Sequence, residues 1–495
     1  MKKKIKNLKY ISLLAIAIGF TSCNDEIDVL PDSEMETIEV VPQLTAGSAD
    51  FSNFVALGNS LTAGFADNAL YKIAQENSTP NIMAEQFAKL GGGNFSQPLM
   101  NDNTGGLLAG GSQLPGFGPR LVFDGSGPTS ITNLNPGAMT TTDIILNNPS
   151  GPFNNMGVPG AKSFHLLAPG YGNLTGLFSN PPTANPYFVR MASSPTTSVI
   201  ADAMAQAPTF FSLWIGNNDV LGYALSGGDG SNPITPTATF DFAYSTLIAT
   251  LTSGGAKGVV ANIPDVTAIP HFTTVPYNPV PLDAATATAL NQGYAAYNGG
   301  LQFAFTNGLL TQAEVDKRTI NFAAGSNNAL VIVDEDLTNL SGFGIPSYRQ
   351  ATEADLFVLP LSTLIPQGFG TQIPLEDKWA LTPEEQLDIK TATDAFNATI
   401  EAQANAAGLA FLDANTLLNL LKDGNLPSGN YTLTSDLVTG GAFSLDGVHP
   451  TSRGYALLAN ELLKAIDAKY GSNFEASGNL ADLGAYNTNY SAGLQ

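Results

Sequence analysis

Asp446 and His449 stand three residues apart in Asp446-Gly447-Val448-His449-Pro450, near the C-terminal end of the chain. Only three histidines occur in the whole sequence. An aspartate at that spacing can return to one nitrogen of the imidazole and leave the other free to take a proton from a hydroxyl. The chemistry this pair serves is nucleophilic attack by serine, so an exposed serine is required elsewhere. Gly58-Asn59-Ser60-Leu61 supplies one, directly after the apolar run Phe54-Val55-Ala56-Leu57. A buried strand ending in a glycine-tight turn puts such a serine at the carboxyl edge of a sheet, where open α/β sheets bind ligands. A following helix adds free N–H groups and a positive dipole end, both favourable to a developing oxyanion.

Two more segments suit the same chemistry. Asn155-Met156-Gly157-Val158-Pro159-Gly160 is a glycine-rich turn. The Gly157 N–H can approach a ligand closely because glycine has no Cβ. Gly216-Asn217-Asn218-Asp219 follows the apolar run Phe210 to Ile215. An amide side chain there can donate to an oxyanion without carrying charge.

The elements that must position these groups alternate along the chain. Strands are expected at Phe54–Leu57, Phe210–Ile215, Gly258–Ile263 and Leu409–Asp413, with a further one at Leu330–Val333 inside an insertion. A helix is expected from Asn81 to Leu90, stopped by Gly91-Gly92-Gly93. Thr382-Pro383-Glu384-Glu385 combines a threonine cap, a first-turn proline and a glutamate at the third position; its helix should end at Gly408. The last helix begins near Thr451 or Ser452, with Tyr455, Leu458, Ala459, Leu462, Leu463 and Ile466 as its apolar stripe. This alternation predicts a three-layer α/β/α domain with a mainly parallel sheet over residues 51–470. Insertions are expected at about 95–150 and 265–380, and residues 471–495 read as a tail that adds little core.

In order, the four blocks resemble those of the SGNH or GDSL hydrolases, a family of esterases and lipases. The resemblance implies Ser60 as nucleophile, His449 as general base and Asp446 as its partner. It implies an oxyanion hole made of the Ser60 and Gly157 backbone amides and the Asn218 side chain. Asn218 is preferred to Asn217 because the family pattern is Gly, any residue, Asn, Asp. Asn59 departs from the family's usual aspartate: it keeps size and one acceptor but loses the charge. The motifs span residues 54–470, with weak similarity between them. The implied activity is ester hydrolysis through an acyl-enzyme, on a lipid, a simple ester or an acylated glycan. Carbohydrate deacetylation and acyl transfer to a glycan are the alternatives within the fold. A non-catalytic surface protein that binds glycan or a partner protein is the alternative outside it.

Each block has a plainer reading by itself. Ser60 could be a turn residue, Gly157 a loop glycine, Asn218 a helix cap, and Asp446 with His449 a structural pair. All four in order, each at a strand end or helix start, favour chemistry. His165 and His271 read as structural; His271, in a Pro-rich loop after a strand, has lining a cleft as its alternative.

Composition bounds the partners. Net charge is −22 and only 13% of residues are charged. Such a chain offers no electrostatic footprint for nucleic acid and no basic patch for anionic lipid. No Cys/His cluster has zinc spacing, no calcium-loop pattern occurs, and no phosphate-binding glycine loop is present, so neither metal nor cofactor is expected. Residues 1–22 read as an export signal: Lys2, Lys3, Lys4, Lys6 and Lys9 precede an apolar stretch too short to span a bilayer. Cys23, the only cysteine, resembles the lipidated cysteine of a bacterial lipoprotein, with Phe20 in place of the usual aliphatic residue. Residues 23–50 then read as a polar, acidic tether. The expected location is the cell envelope, lipid-anchored, at the outer membrane, with either face open. Nothing in the sequence specifies an oligomeric state.

Overall fold

The computed structural model describes residues 41–424 and 426–494. The export signal, Cys23 and the tether up to residue 40 lie outside the described residues.

Five strands make the central sheet: β1 (Phe54–Gly58), β2 (Asn155–Gly157), β3 (Phe210–Trp214), β4 (Lys257–Ala261) and β5 (Ala410–Leu412). Their order across the sheet is β2-β1-β3-β4-β5, and every pairing is parallel. All five residues of β1 are buried, so both faces of the sheet are covered. The cover comes from helices. α1 (Ser60–Ala63) and α2 (Thr79–Ala88) follow β1, α3 (Asn217–Leu225) and α4 (Thr237–Thr252) follow β3, α5 (Pro383–Ala407) precedes β5, and α6 (Ser452–Tyr470) closes the domain. α6 packs on α2 and β5, while α4 packs on α5. The layered α/β/α expectation therefore holds. No helix among the described residues is long and apolar enough to cross a membrane.

Strand order decides where a ligand can sit. Connections from β1 and from β3 leave toward opposite sides of the sheet, which opens a crevice beyond the carboxyl ends of those two neighbours. Gly58 ends β1 and Trp214 ends β3, paired in register. The turns carrying Ser60 and Asn218 thus start side by side.

Local signals account for the best-defined elements. Thr382 caps α5 and Glu385 returns to the Thr382 N–H at 2.6 Å, a reciprocal pair that satisfies two free donors. Gly408 ends that helix in the left-handed conformation, φ +66°. Thr451 caps α6 through the Gly454 N–H.

Two expectations need correction. The segment 471–495 does contribute to the core: Phe474 is fully buried and its ring lies 5.7 Å from Phe51, inside the aromatic cluster of Phe51, Phe87 and Phe210. Its last turns also accept from the buried Arg120 guanidinium through the carbonyls of Tyr490, Ser491 and Leu494. Polar composition hid a few well-placed apolar and carbonyl groups. Residues 42–50, expected within the tether, belong to the compact unit, which starts at Pro42. Leu44, Ala46 and Ala49 pack on the core, and Ser48 N–H donates to Tyr470 O at 2.8 Å.

Both insertions fold onto the domain. Within 95–150, Met100, Leu107 and Ile144 form a small core with Leu70 and Tyr187. Within 265–380, the strand Val331–Val333 pairs antiparallel with Tyr348–Gln350. The buried Arg349 there holds Asp334 and Asp355.

Candidate active site

The site is built from the turn after β1. At Gly58 an added Cβ would lie 2.1 Å from Thr62 Oγ1 and 2.4 Å from Trp214 O, so only glycine allows this approach. Asn59, almost fully buried, caps α1 by accepting from the Leu61 N–H at 3.0 Å. Its Nδ2 donates to Asn217 Oδ1 at 2.9 Å. A carboxylate could not make that second bond. The amide at position 59 thus ties the turn after β1 to the turn after β3, a link the loss of charge alone did not reveal. Ser60 then occupies the first helical position, where its N–H has no intrahelical partner. α1 is only one turn long, so it offers free N–H groups rather than the helix dipole expected from the sequence.

Ser60 Oγ lies 2.9 Å from His449 Nε2, and His449 Nδ1 lies 2.8 Å from Asp446 Oδ2. The chain hydroxyl–imidazole–carboxylate is continuous across widely separated sequence. The His449 ring is held on its face by Phe65, centroids 4.6 Å apart.

Asp446 is held by five donors. Oδ2 accepts from His449 Nδ1 and from the Asn68 N–H at 2.9 Å. Oδ1 accepts from the Val448 N–H at 2.8 Å, the His449 N–H at 2.9 Å and Ser444 Oγ at 3.1 Å. Burial opposes its ionisation, but the neighbouring imidazole and these hydrogen bonds outweigh burial and hold Asp446 well below the usual carboxylate range. The local turn is tight: Gly447 has φ +71°, and a Cβ there would lie 2.8 Å from His271 N.

A second turn clamps this carboxylate. Asp67 and Asn68 both have positive φ, +52° and +62°, between the bridged residues Ala66 and Ala69. That strained geometry points the Asn68 N–H at Asp446 and the Asp67 N–H at Ser444 Oγ, 2.9 Å away. The Asp67 carboxyl is buried, accepts from Tyr71 Oη at 2.6 Å and from the Leu445 N–H at 3.0 Å. Burial pushes it up to about 6 despite those bonds.

The groups expected to face an oxyanion differ in whether they reach the cleft. Asn218 lines the cleft with Ser60 and His449, and its Nδ2 donates one hydrogen to Ala161 O at 2.9 Å, which leaves the other free. Asn217 sits behind it, occupied by Asn59. Gly157 needs correcting. Its N–H donates to Asn155 Oδ1 at 3.0 Å, and it does not line the cleft. Glycine is required there for packing: an added Cβ would lie 2.4 Å from Ala63 N, where β2 meets α1. Three residues on, Gly160 does line the cleft, at φ +80°, and among the described residues nothing accepts from its N–H.

Asp219 supports this arrangement from behind. Its buried carboxylate accepts from the Ser163 N–H and Ser163 Oγ, both at 2.8 Å, and so joins the turn after β3 to the segment after Gly160. His271 forms part of the cleft wall, its N–H donating to Gly447 O at 2.9 Å. His165 is a brace elsewhere: the Lys162 N–H donates to its Nδ1 at 3.0 Å, and burial lowers its pKa to about 4, so the ring stays neutral.

The cleft has a volume of about 370 Å³. Its walls are mixed, with Phe65, Phe117 and Leu221 apolar, and Asn68, Asn185 and Tyr187 polar. A space of this size accommodates a small organic group beside the serine.

No family model matches the sequence. No curated protein matches it either. Solved structures with a similar course of the chain include a GDSL-like lipase from Parabacteroides merdae, at 10% identity over 86% of this chain and 100% of that one, TM-score 0.33. LAE5, an α/β hydrolase enzyme from the metagenome of Lake Arreo, matches at 10% identity over 88% and 98%, TM-score 0.31. An extracellular lipase from Streptomyces rimosus matches at 13% over 84% and 99%, TM-score 0.27. Likeness this slight adds nothing to the geometry, which carries the reading that follows.

Proposed function

We propose that this protein is a serine ester hydrolase of the SGNH/GDSL type. The observation that carries the reading is the continuous chain Ser60 Oγ, His449, Asp446, with links of 2.9 and 2.8 Å. His449 takes the Ser60 proton as Oγ attacks the ester carbonyl. The Ser60 N–H, the free Asn218 hydrogen and the Gly160 N–H receive the oxyanion. His449 then protonates the departing alcohol as the acyl C–O bond breaks. Water, deprotonated by the same imidazole, attacks the acyl-enzyme; the acid leaves and Ser60 regains its proton. Asp446 keeps the imidazole in the tautomer that accepts at Nε2 throughout.

The mixed walls and the size of the cleft favour an ester with a short acyl group on a polar alcohol. An acetylated glycan and a simple small ester both meet that description. Hydrolysis rates on p-nitrophenyl acetate, on longer acyl esters and on acetylated xylan separate them. Ser60→Ala should lower every one of these rates by at least ~10³ with folding unchanged. Full activity in that variant would refute the reading.

The leader and Cys23 support a lipid-anchored protein of the envelope, consistent with an ester substrate met outside the cytoplasm. Cys23→Ala should move the protein from the membrane fraction to the soluble one.

A further inference from the structure

Glu335, Asp377 and Glu385 come from three separate segments: the turn after Val331–Val333, the single turn Asp377–Trp379, and the first turn of α5. Each offers a carboxylate oxygen within 4.8 Å of the others. None of the three lines the cleft. Three carboxylates this close repel one another unless a cation or protons intervene. Among the described residues no lysine or arginine pairs with them; Lys317 is taken by Asp334 and Lys378 by Glu376.

Glu385 gives the second, separate observation. Its side chain is buried, with the residue only 5% exposed. One oxygen accepts from the Thr382 N–H, but Oε1 has no donor at all among the described residues. An orphan carboxylate oxygen in the interior is costly and demands an explanation. The nearest backbone does not supply one. Gly227 and Gly228 pack against this place so closely that a Cβ at Gly228 would lie 2.6 Å from Glu385 Oε1 and one at Gly227 2.3 Å from Asp377 O. Their N–H groups instead turn back to Ala224 O and Tyr223 O at the end of α3.

We infer that Glu335, Asp377 and Glu385 form a binding site for a hard divalent cation, calcium by the number of carboxylates. Calcium takes six to eight oxygen ligands at 2.3–2.6 Å in flexible geometry, which carboxylate oxygens gathered within 4.8 Å of one another permit. Magnesium is usually held by only one or two carboxylates and keeps several waters. The three carboxylates supply three ligands, one oxygen each, and water can complete the shell. The ion would bridge an insertion segment, the turn before α5 and α5 itself, beside the C-terminal turn of α3, whose first turn carries Asn218. Burial, and then mutual repulsion, raises the pKa of both Glu385 and Asp377, as expected of carboxylates gathered without a counter-charge.

The test uses the whole protein after chelation and removal of the chelator. Calcium chloride is titrated by calorimetry, and terbium binding is followed by luminescence sensitised through Trp379. One calcium per chain and a melting temperature higher by about 5 °C in millimolar calcium are expected. The double variant Glu335→Gln, Asp377→Asn changes accessible side chains and should fold; it should lose terbium luminescence and the calcium shift together. Glu385→Gln should weaken binding at least tenfold. No calcium response in the chelated wild type, or an equal response in the double variant, would overturn the site.

Discussion

The Asn68 N–H donates to Asp446 Oδ2 at 2.9 Å, on the same oxygen that receives His449 Nδ1. A backbone donor cannot swing away, so it fixes the plane of the carboxylate and, through it, the imidazole. The positive φ at both Asp67 and Asn68 is what aims this donor. Strain in one turn is thereby traded for alignment in another.

Asp446→Asn should test what that carboxylate does. The amide would present a donor or a weaker acceptor to Nδ1, and the imidazole would favour the wrong tautomer. A fall of about 10⁴ in kcat with little change in KM is expected of a carboxylate that orients a catalytic imidazole. Steady-state kinetics on p-nitrophenyl acetate measures it, and a loss under tenfold would deny Asp446 that role.

Asn217 and Asn218 should separate cleanly. Asn218→Ala removes the proposed oxyanion donor together with its bond to Ala161 O, and should cost about 10²–10³ in kcat. Asn217→Ala leaves the buried Asn59 amide without its acceptor and should cost about 1–3 kcal/mol of stability. Parallel kinetics and thermal unfolding on the two variants would show the division, and identical behaviour would contradict it.

Gly157 and Gly160 invite a similar contrast. Gly157→Ala places a methyl 2.4 Å from Ala63 N and should destabilise by at least about 2 kcal/mol through overpacking of β2 against α1. Chemical denaturation reads this directly. Normal stability in Gly157→Ala would mean that β2 and α1 do not meet as described.

Asp67 makes a pH prediction. Its carboxyl titrates at about 6 when folded against 3.8 for an ordinary aspartate, because burial disfavours the charge. A raised carboxyl pKa means that the neutral form's contribution is intact below the unfolded value and lost as pH rises through about 6. Asp67→Asn has no such loss. Its melting temperature should therefore gain on the wild type from about pH 4 to about pH 6 and run parallel above that. Parallel profiles for the two proteins would show that Asp67 does not titrate in that window.

Much of this was legible in residue order. The apolar run before Ser60, the cap at Thr382 and the stripe after Thr451 are local signals, and each became the element it announced. The spacing of Asp446 and His449 is local too. What stayed hidden depends on distant partners. Asn155 to Gly160 holds two glycines, and only the hydrogen bond from Gly157 to Asn155 reveals which N–H is already occupied. His271 reaches the cleft because Gly447 has no side chain to hold it off. Phe474 looked like part of a polar tail, since burial of one ring leaves no periodicity. Glu335, Asp377 and Glu385 lie on three segments, so no spacing rule could have joined them.

The most direct measurement is labelling of the folded protein with a fluorophosphonate, followed by peptide mapping. One adduct on Ser60 is predicted, absent from Ser60→Ala, from His449→Ala and from the unfolded chain. Folded wild-type protein that takes no label, or takes it on another residue, would contradict the account.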